Sequence, residues 1–178
     1  MGKAKVEVTF EFPQLLKAFE NSYDRIERTI ASTIQTQVGM RFDAEGAHNG
    51  HPKWAPLKMR QGQILSQTGT LRKSIAPQAA DGRPGSEGFV RSSGLPNDML
   101  VEVGTKIIYA STHDNGAVIV PKNKRALRYL NPATGKFQFG KKSVIPQRQF
   151  TDMNDNDRME IEETLKGLIE DILKGATT

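Results

Sequence analysis

The stretches HNGH at 48–51 and YASTHDNG at 109–116 contain the chain's three histidines, His48, His51 and His113. Histidine is the residue type that most readily serves as a general base or a metal ligand near neutral pH. A metal site normally needs three or four ligands with partners behind them. HNGH supplies two, in a glycine-rich loop that does not fix them on one face, and the chain has no cysteine. They read as exposed loop histidines. His113 and Asp114 have the composition of a base and its orienting carboxylate. Adjacent residues on a strand point to opposite faces, so on the strand expected here they cannot form that hydrogen bond. No serine sits in a Gly-x-Ser-x-Gly elbow, and no glycine-rich phosphate loop is present. The acids that could hold magnesium are scattered, and those gathered near the C-terminus read as a solvated helix face. The residues point away from an enzyme, so no catalytic residue, cofactor or metal is assigned. His113 is left as a candidate for a structural hydrogen bond, in a turn closed by Gly116, or for a subunit contact.

Val6, Val8, Phe10 and Phe12 alternate with polar neighbours, which predicts a strand. Pro13 then suits the first turn of a helix. Leu15, Phe19, Tyr23, Ile26, Ile30, Ile34 and Val38 recur every three or four residues. They predict one long amphipathic helix of about 28 residues, on the order of 40 Å. Residues 44–63 read as a flexible loop, plugged onto the core by Trp54, Pro56 and Leu57. Thr68 or Thr70 is placed to cap a short helix carrying Leu71 and Ile75. A second flexible connection is expected near 77–98. Strands are expected at 88–91, 99–103, 107–110 and 118–121, and residues 121–143 read as an extended basic hairpin around the turn NPATGK. An amphipathic helix, capped by Asp155 or Asp157, closes the chain. Strands in a run with helices at the ends predict an α+β fold with a mostly antiparallel sheet. The 178 residues fit a single domain, 1–178. No apolar run approaches the roughly 20 residues needed to span a bilayer, so no membrane partner is expected. The N-terminus lacks the apolar block of a signal peptide.

The charge is unevenly spread. The chain carries +5 in all, yet from Thr151 onward eight acids face three bases, a net of −5 that leaves +10 on the first 150 residues. Between Asp114 and Asp152 there is no acid, while Lys122, Lys124, Arg125, Arg128, Lys136, Lys141 and Lys142 crowd the hairpin. With Tyr129, Phe137 and Phe139 interleaved, this arm could bind nucleic acid through phosphates and base stacking. It could equally be a solvated hairpin whose charges guard an exposed edge. A third reading is contact with an acidic protein surface, such as the tail of a neighbouring copy. These cations are the candidate subunit or partner contacts.

Several short pieces, in order, carry a resemblance: WAPL at 54–57, ILSQTGTLRKSI at 64–75, VEVGTKIIYASTHDNG at 101–116 and VIPQRQF at 144–150, followed by an amphipathic helix. The series resembles the tailed-phage virion-morphogenesis family of Mu-like phages and prophages, the tail-completion or head–tail joining proteins. It covers roughly residues 14–173. Its matching positions are Trp54, Leu57, Gly69, Leu71, Gly104, Tyr109, His113, Gly116, Pro146, Arg148 and Phe150. The chain departs from the pattern at Asp114-Asn115, where the family turn is closer to His-Gln-x-Gly, and at Gln147 and Gln149 around Arg148. The resemblance implies no catalysis. It implies a neck component of the virion, assembled in the host cytoplasm as a homo-oligomer, a hexameric ring around the DNA channel. Its implied partners are the tail terminator or tube, the head-connector proteins, and DNA in the channel. Physically, Gly104 and Gly116 suit strand ends at positive φ. Arg148 is placed to hold backbone carbonyls or an acid, and Phe150 to seal the last helix onto the sheet.

Overall fold

The computed structural model describes residues 12–58, 61–76, 87–93, 99–131 and 134–176. The strand expected at the N-terminus lies outside them, except that Phe12 opens a helix. The predicted long helix is divided into α1 (Phe12–Glu20) and α2 (Tyr23–Asp43). The break falls at Asn21 and Ser22. The Ser22 hydroxyl donates to the Ala18 carbonyl at 2.7 Å, the acceptor its own N–H would use in a continuous helix. The Ser22 N–H turns instead to Phe19 O at 2.9 Å. The hydroxyl bond alone does not break a helix, since Thr29, Thr33 and Thr36 make the same bond inside unbroken α2; the break is marked by the Ser22 N–H leaving the i−4 ladder.

Beyond α2 come α3 (Thr70–Ile75), β1 (Gly88–Ser93), β2 (Leu100–Thr105), α4 (Ala110–Asn115) and β3 (Ala117–Ile119). The chain ends with β4 (Leu127–Leu130), β5 (Phe137–Gly140), β6 (Ser143–Ile145) and α5 (Asp155–Ala176). The fold is α+β and every strand pairing is antiparallel. The strands form three two-stranded ladders, β1–β2, β3–β6 and β4–β5, rather than one sheet. The strand expected at 107–110 is replaced by a turn and α4. Ala110 N–H bonds Ile107 O at 3.0 Å and His113 N–H bonds Tyr109 O at 3.2 Å, which winds this stretch helically.

The core is small and lies where α2, α3 and the 44–57 loop meet. Val38 and Phe42 from α2, Trp54 from the loop, Leu71 and Ile75 from α3, and Phe150 fill it. Trp54 sets its edge on Phe42 at 5.4 Å between centroids, a favoured aromatic geometry, and Phe150 lies 5.3 Å from the same ring. Phe150 therefore seals onto α2 and Trp54, not between α5 and a sheet. Burying such rings stabilises the fold by roughly 1.5–3 kcal/mol each. Helix α5 packs on α1 and α2. Its cap is Asn154, whose Oδ1 accepts the Asp157 N–H at 3.0 Å while Asp157 Oδ2 accepts the Asn154 N–H at 3.2 Å. This is a reciprocal capping box with aspartate at its third position.

Candidate functional site

The segments that carried the resemblance converge on one open cleft of about 360 Å³. Leu57 comes from the loop, Leu71 from α3, Tyr109 and His113 from around α4, and Arg148 from the irregular segment that follows β6. The cleft is framed as follows. Gly69 is the N-cap of α3 at φ 71°, so the chain turns sharply and Lys73 N–H reaches Gly69 O at 2.9 Å. The N-cap is Gly69 rather than Thr68 or Thr70, although the Thr68 hydroxyl accepts the Thr70 N–H at 3.4 Å. Gly116 ends α4 at φ 72°, and a Cβ there would stand 2.9 Å from the Gln147 nitrogen. Gly104 has no positive φ. It is needed for proximity, because the Phe89 ring lies 2.5 Å from where a Cβ would be. Trp54 Nε1 donates to Gln149 O at 3.0 Å, and half-buried Pro146 follows β6.

Arg148 is buried, and its charge is spent on backbone. Nε donates to Ala55 O at 3.0 Å and Nη2 to Pro56 O at 3.4 Å, so it anchors the loop that carries Trp54 and Leu57. The His113 carbonyl accepts the Arg148 N–H at 2.8 Å. Asp114 continues the clamp. One carboxylate oxygen accepts the Phe150 and Thr151 N–H groups at 2.8 and 3.1 Å, and the other accepts the Thr151 hydroxyl at 2.6 Å. The pair that looked like base and orienter therefore fastens residues 148–151 to α4. Asp114 stands at the position where the sequence departs from the family turn. The His113 ring packs edge-on to Tyr109 at 6.1 Å, with its buried Nδ1 unpartnered. Burial and then the nearby Arg148 charge hold its pKa below the ordinary histidine value, so the ring is neutral at pH 7.

A second polar cluster lies beneath α5, and the sequence reading missed it. Arg41 and Asp157 are both fully buried, with Nη2 to Oδ2 at 2.8 Å. His51 Nε2 meets the same oxygen at 2.6 Å and Asn49 Nδ2 donates to Oδ1 at 2.9 Å. Arg41 Nη1 also donates to the carbonyls of Phe150 and Asp152. Burial pushes the Asp157 carboxyl up. The hydrogen bonds from His51, Asn49 and the Asn154 N–H, with the Arg41 charge, outweigh that and hold it below the ordinary carboxylate value. Asp157 is thus no member of a solvated acidic face. Nor are the loop histidines exposed: the His51 side chain keeps 7% of its surface, and His48 Nε2 pairs with buried Gln37 Oε1 at 2.8 Å. The available signal was Arg41, three residues after Val38 and inside the apolar stripe, where a cation requires a buried partner.

The seven hairpin cations do not line the cleft. Lys122, Lys124, Arg125, Arg128, Lys136, Lys141 and Lys142 are exposed on β4, β5 and their flanks. Arg128 covers the Phe137 ring at 3.7 Å. Among the described residues no three metal-ligating side chains are grouped to hold an ion, and no helix is long and apolar enough to cross a membrane.

Comparison with known proteins agrees with the motif series. The profile of the phage virion morphogenesis family matches residues 7–170. Mu-like prophage FluMu G protein 2 of Haemophilus influenzae is 26% identical over 147 residues, covering 83% of this chain and 78% of that protein. No solved structure matches the chain. The family match takes in the cleft, the clamp at Asp114 and the buried Arg41–Asp157 pair, and on that span the chain belongs to the phage virion morphogenesis family.

Proposed function

We propose that this protein is a neck component of the phage particle, a tail-completion or head-to-tail connector whose copies form a ring around the DNA channel. The family supplies the coarser part, a structural role in phage virion morphogenesis and a virion-associated protein. The observation that carries the finer part is uncovered apolar surface on short ladders. Val118 and Val144 on β3–β6, and Leu130, Phe137 and Phe139 on β4–β5, are all more than half exposed. A two-stranded ladder is marginal in water by itself and gains stability when its apolar face is covered. Repeated head-to-tail contacts between copies would cover it and, when the rotation closes, produce a ring. In this reading the chain, 1–178, acts as one domain and contacts tail terminator or tube and head-connector proteins at the ring faces.

Light scattering on the purified protein and images of purified particles test this. A defined oligomer, and a ring at the head–tail junction, are expected. A strict monomer that is also absent from particles contradicts the proposal. A second reading, a nucleic-acid-binding module, is favoured by the acid-free run of cations from Lys122 to Lys142. It predicts duplex binding that weakens steeply with salt. No binding at low salt removes it.

A further inference from the structure

We infer that the β4–β5 hairpin of one copy docks along the acidic outer flank of α5 of the next copy. The inference rests on the ring reading and names the contact that would build it. It begins with one face of the hairpin. Arg128 pairs with Phe139 and Leu130 with Phe137 across the ladder, so these four side chains share a face. All four are exposed, and the hairpin's main contacts are internal to it. Cations stand at both ends of that face. Lys136 lies at the turn end, while Lys122, Lys124, Arg125, Lys141 and Lys142 lie at the open end.

The complementary surface is on the same chain. Leu168, Ile172 and Asp157 turn the inner face of α5 to the protein. Glu160, Glu163, Glu170 and Asp171 are exposed, and their spacing of three, ten and eleven residues from the first places them on one outer flank. Among the described residues none of these acids, and none of the hairpin cations, takes part in an ion pair within the chain. The dimensions agree. The ladder's four paired positions span on the order of 10 Å. Seven to eleven residues of helix separate Glu160 and Glu163 from Asp171 and Glu170, which is about 10–17 Å.

Between the two acidic pairs lies Gly167, exposed, with nothing within 4 Å of where its Cβ would be. Glycine is a poor choice inside a helix. Here it leaves a notch of bare backbone at the middle of the acidic flank, open to a ring such as Phe139, which keeps 69% of its surface in water. The apolar members of the hairpin face decide between partners. Leu130 and Phe139 gain by burial against protein, whereas a phosphate backbone offers them little. The Phe137 face is already covered by Arg128, so it is not free to stack on a base.

The test is sedimentation velocity on the full chain at low and high salt, with thermal unfolding of each variant alongside. Lys141→Glu with Lys142→Glu should weaken self-association on the order of tenfold, as should Glu163→Lys with Glu170→Lys. Combining the four should restore it, because the pairs are reversed together. Gly167→Leu should abolish assembly without lowering the melting temperature. If the wild-type chain assembles and neither reversal changes it, or the combination fails to restore it, the docking contact is wrong while the ring stands. If the reversals abolish duplex DNA binding but leave assembly intact, the hairpin is a nucleic-acid surface and the inference is overturned. A wild-type chain monomeric at every concentration removes the ring reading itself.

Discussion

Around Trp54, the rings of Phe42 and Phe150 are almost wholly withdrawn from water, whereas Phe139 on β5 leaves 69% of its surface there. The first region also buries charge. Arg41 and Asp157 pair with each other and Arg148 donates to backbone carbonyls, tying α2, α5 and the 44–57 loop together. The second region carries seven cations and exposed aromatics with no ion pair of its own. The contrast separates the residues that hold the chain folded from those that leave apolar and basic surface open, which on the proposed ring would carry association. A substitution in the first region should unfold the chain, and one in the second should leave it folded and unable to assemble.

The largest effect belongs to the buried pair. Asp157→Ala leaves the Arg41 guanidinium buried without its partner and should cost about 3–5 kcal/mol in denaturant unfolding. Replacing both, Arg41→Met with Asp157→Leu, removes the uncompensated charge but also takes a partner from His51, Asn49, the Asn154 N–H and the Phe150 and Asp152 carbonyls, so it should recover only part of that loss. If the double variant is no better than the single, the pair is not acting as a unit.

Asp114→Ala comes next. It removes the acceptor for two backbone N–H groups and the Thr151 hydroxyl. The expected cost is about 2 kcal/mol, with the 148–151 segment losing hydrogen-exchange protection first. Asp114→Asn keeps an acceptor and should lose less.

Acidification acts on the first region in two steps. His113 and Asp157 both have folded pKa values below their ordinary 6.5 and 3.8, so the unfolded chain takes up protons first. Stability is fully present above each ordinary value and is lost as pH falls toward the folded one. Unfolding free energy should therefore decline first below pH 6.5, and again as pH falls below 3.8 through the folded Asp157 value. His113→Gln should remove the first decline alone. A flat profile between pH 7 and 4 would contradict a neutral buried His113.

The smallest stability effect should come from the hairpin. Phe139→Ser changes an exposed face and should shift unfolding by no more than about 0.5 kcal/mol. Its effect should appear instead as lost association in light scattering. A large stability loss there would erase the distinction between the two regions.

Much of this could be read from residues in order. The apolar stripe from Leu15 to Val38 indicates the helical stretch, and the spacing of Trp54, Leu71, Arg148 and Phe150 carries the motif series. What escaped reading depends on contacts between distant segments. The helix break at Asn21-Ser22 shows in the backbone hydrogen bonds and leaves no trace in periodicity. Residues 107–115 are too short a stretch for apolar pattern to separate a strand from a helical turn. Asp157 sits among acids of identical type, and only the fold, by bringing Arg41 and His51 to it, marks it out.

The central claim is that a stable protomer presents its ladders for assembly at the phage neck. Imaging of purified particles at the head–tail junction tests it most directly. The account predicts a closed ring of copies around the channel, with the hairpin of each copy lying on α5 of the next. Particles whose neck lacks this chain, or holds it as isolated single copies, would contradict it.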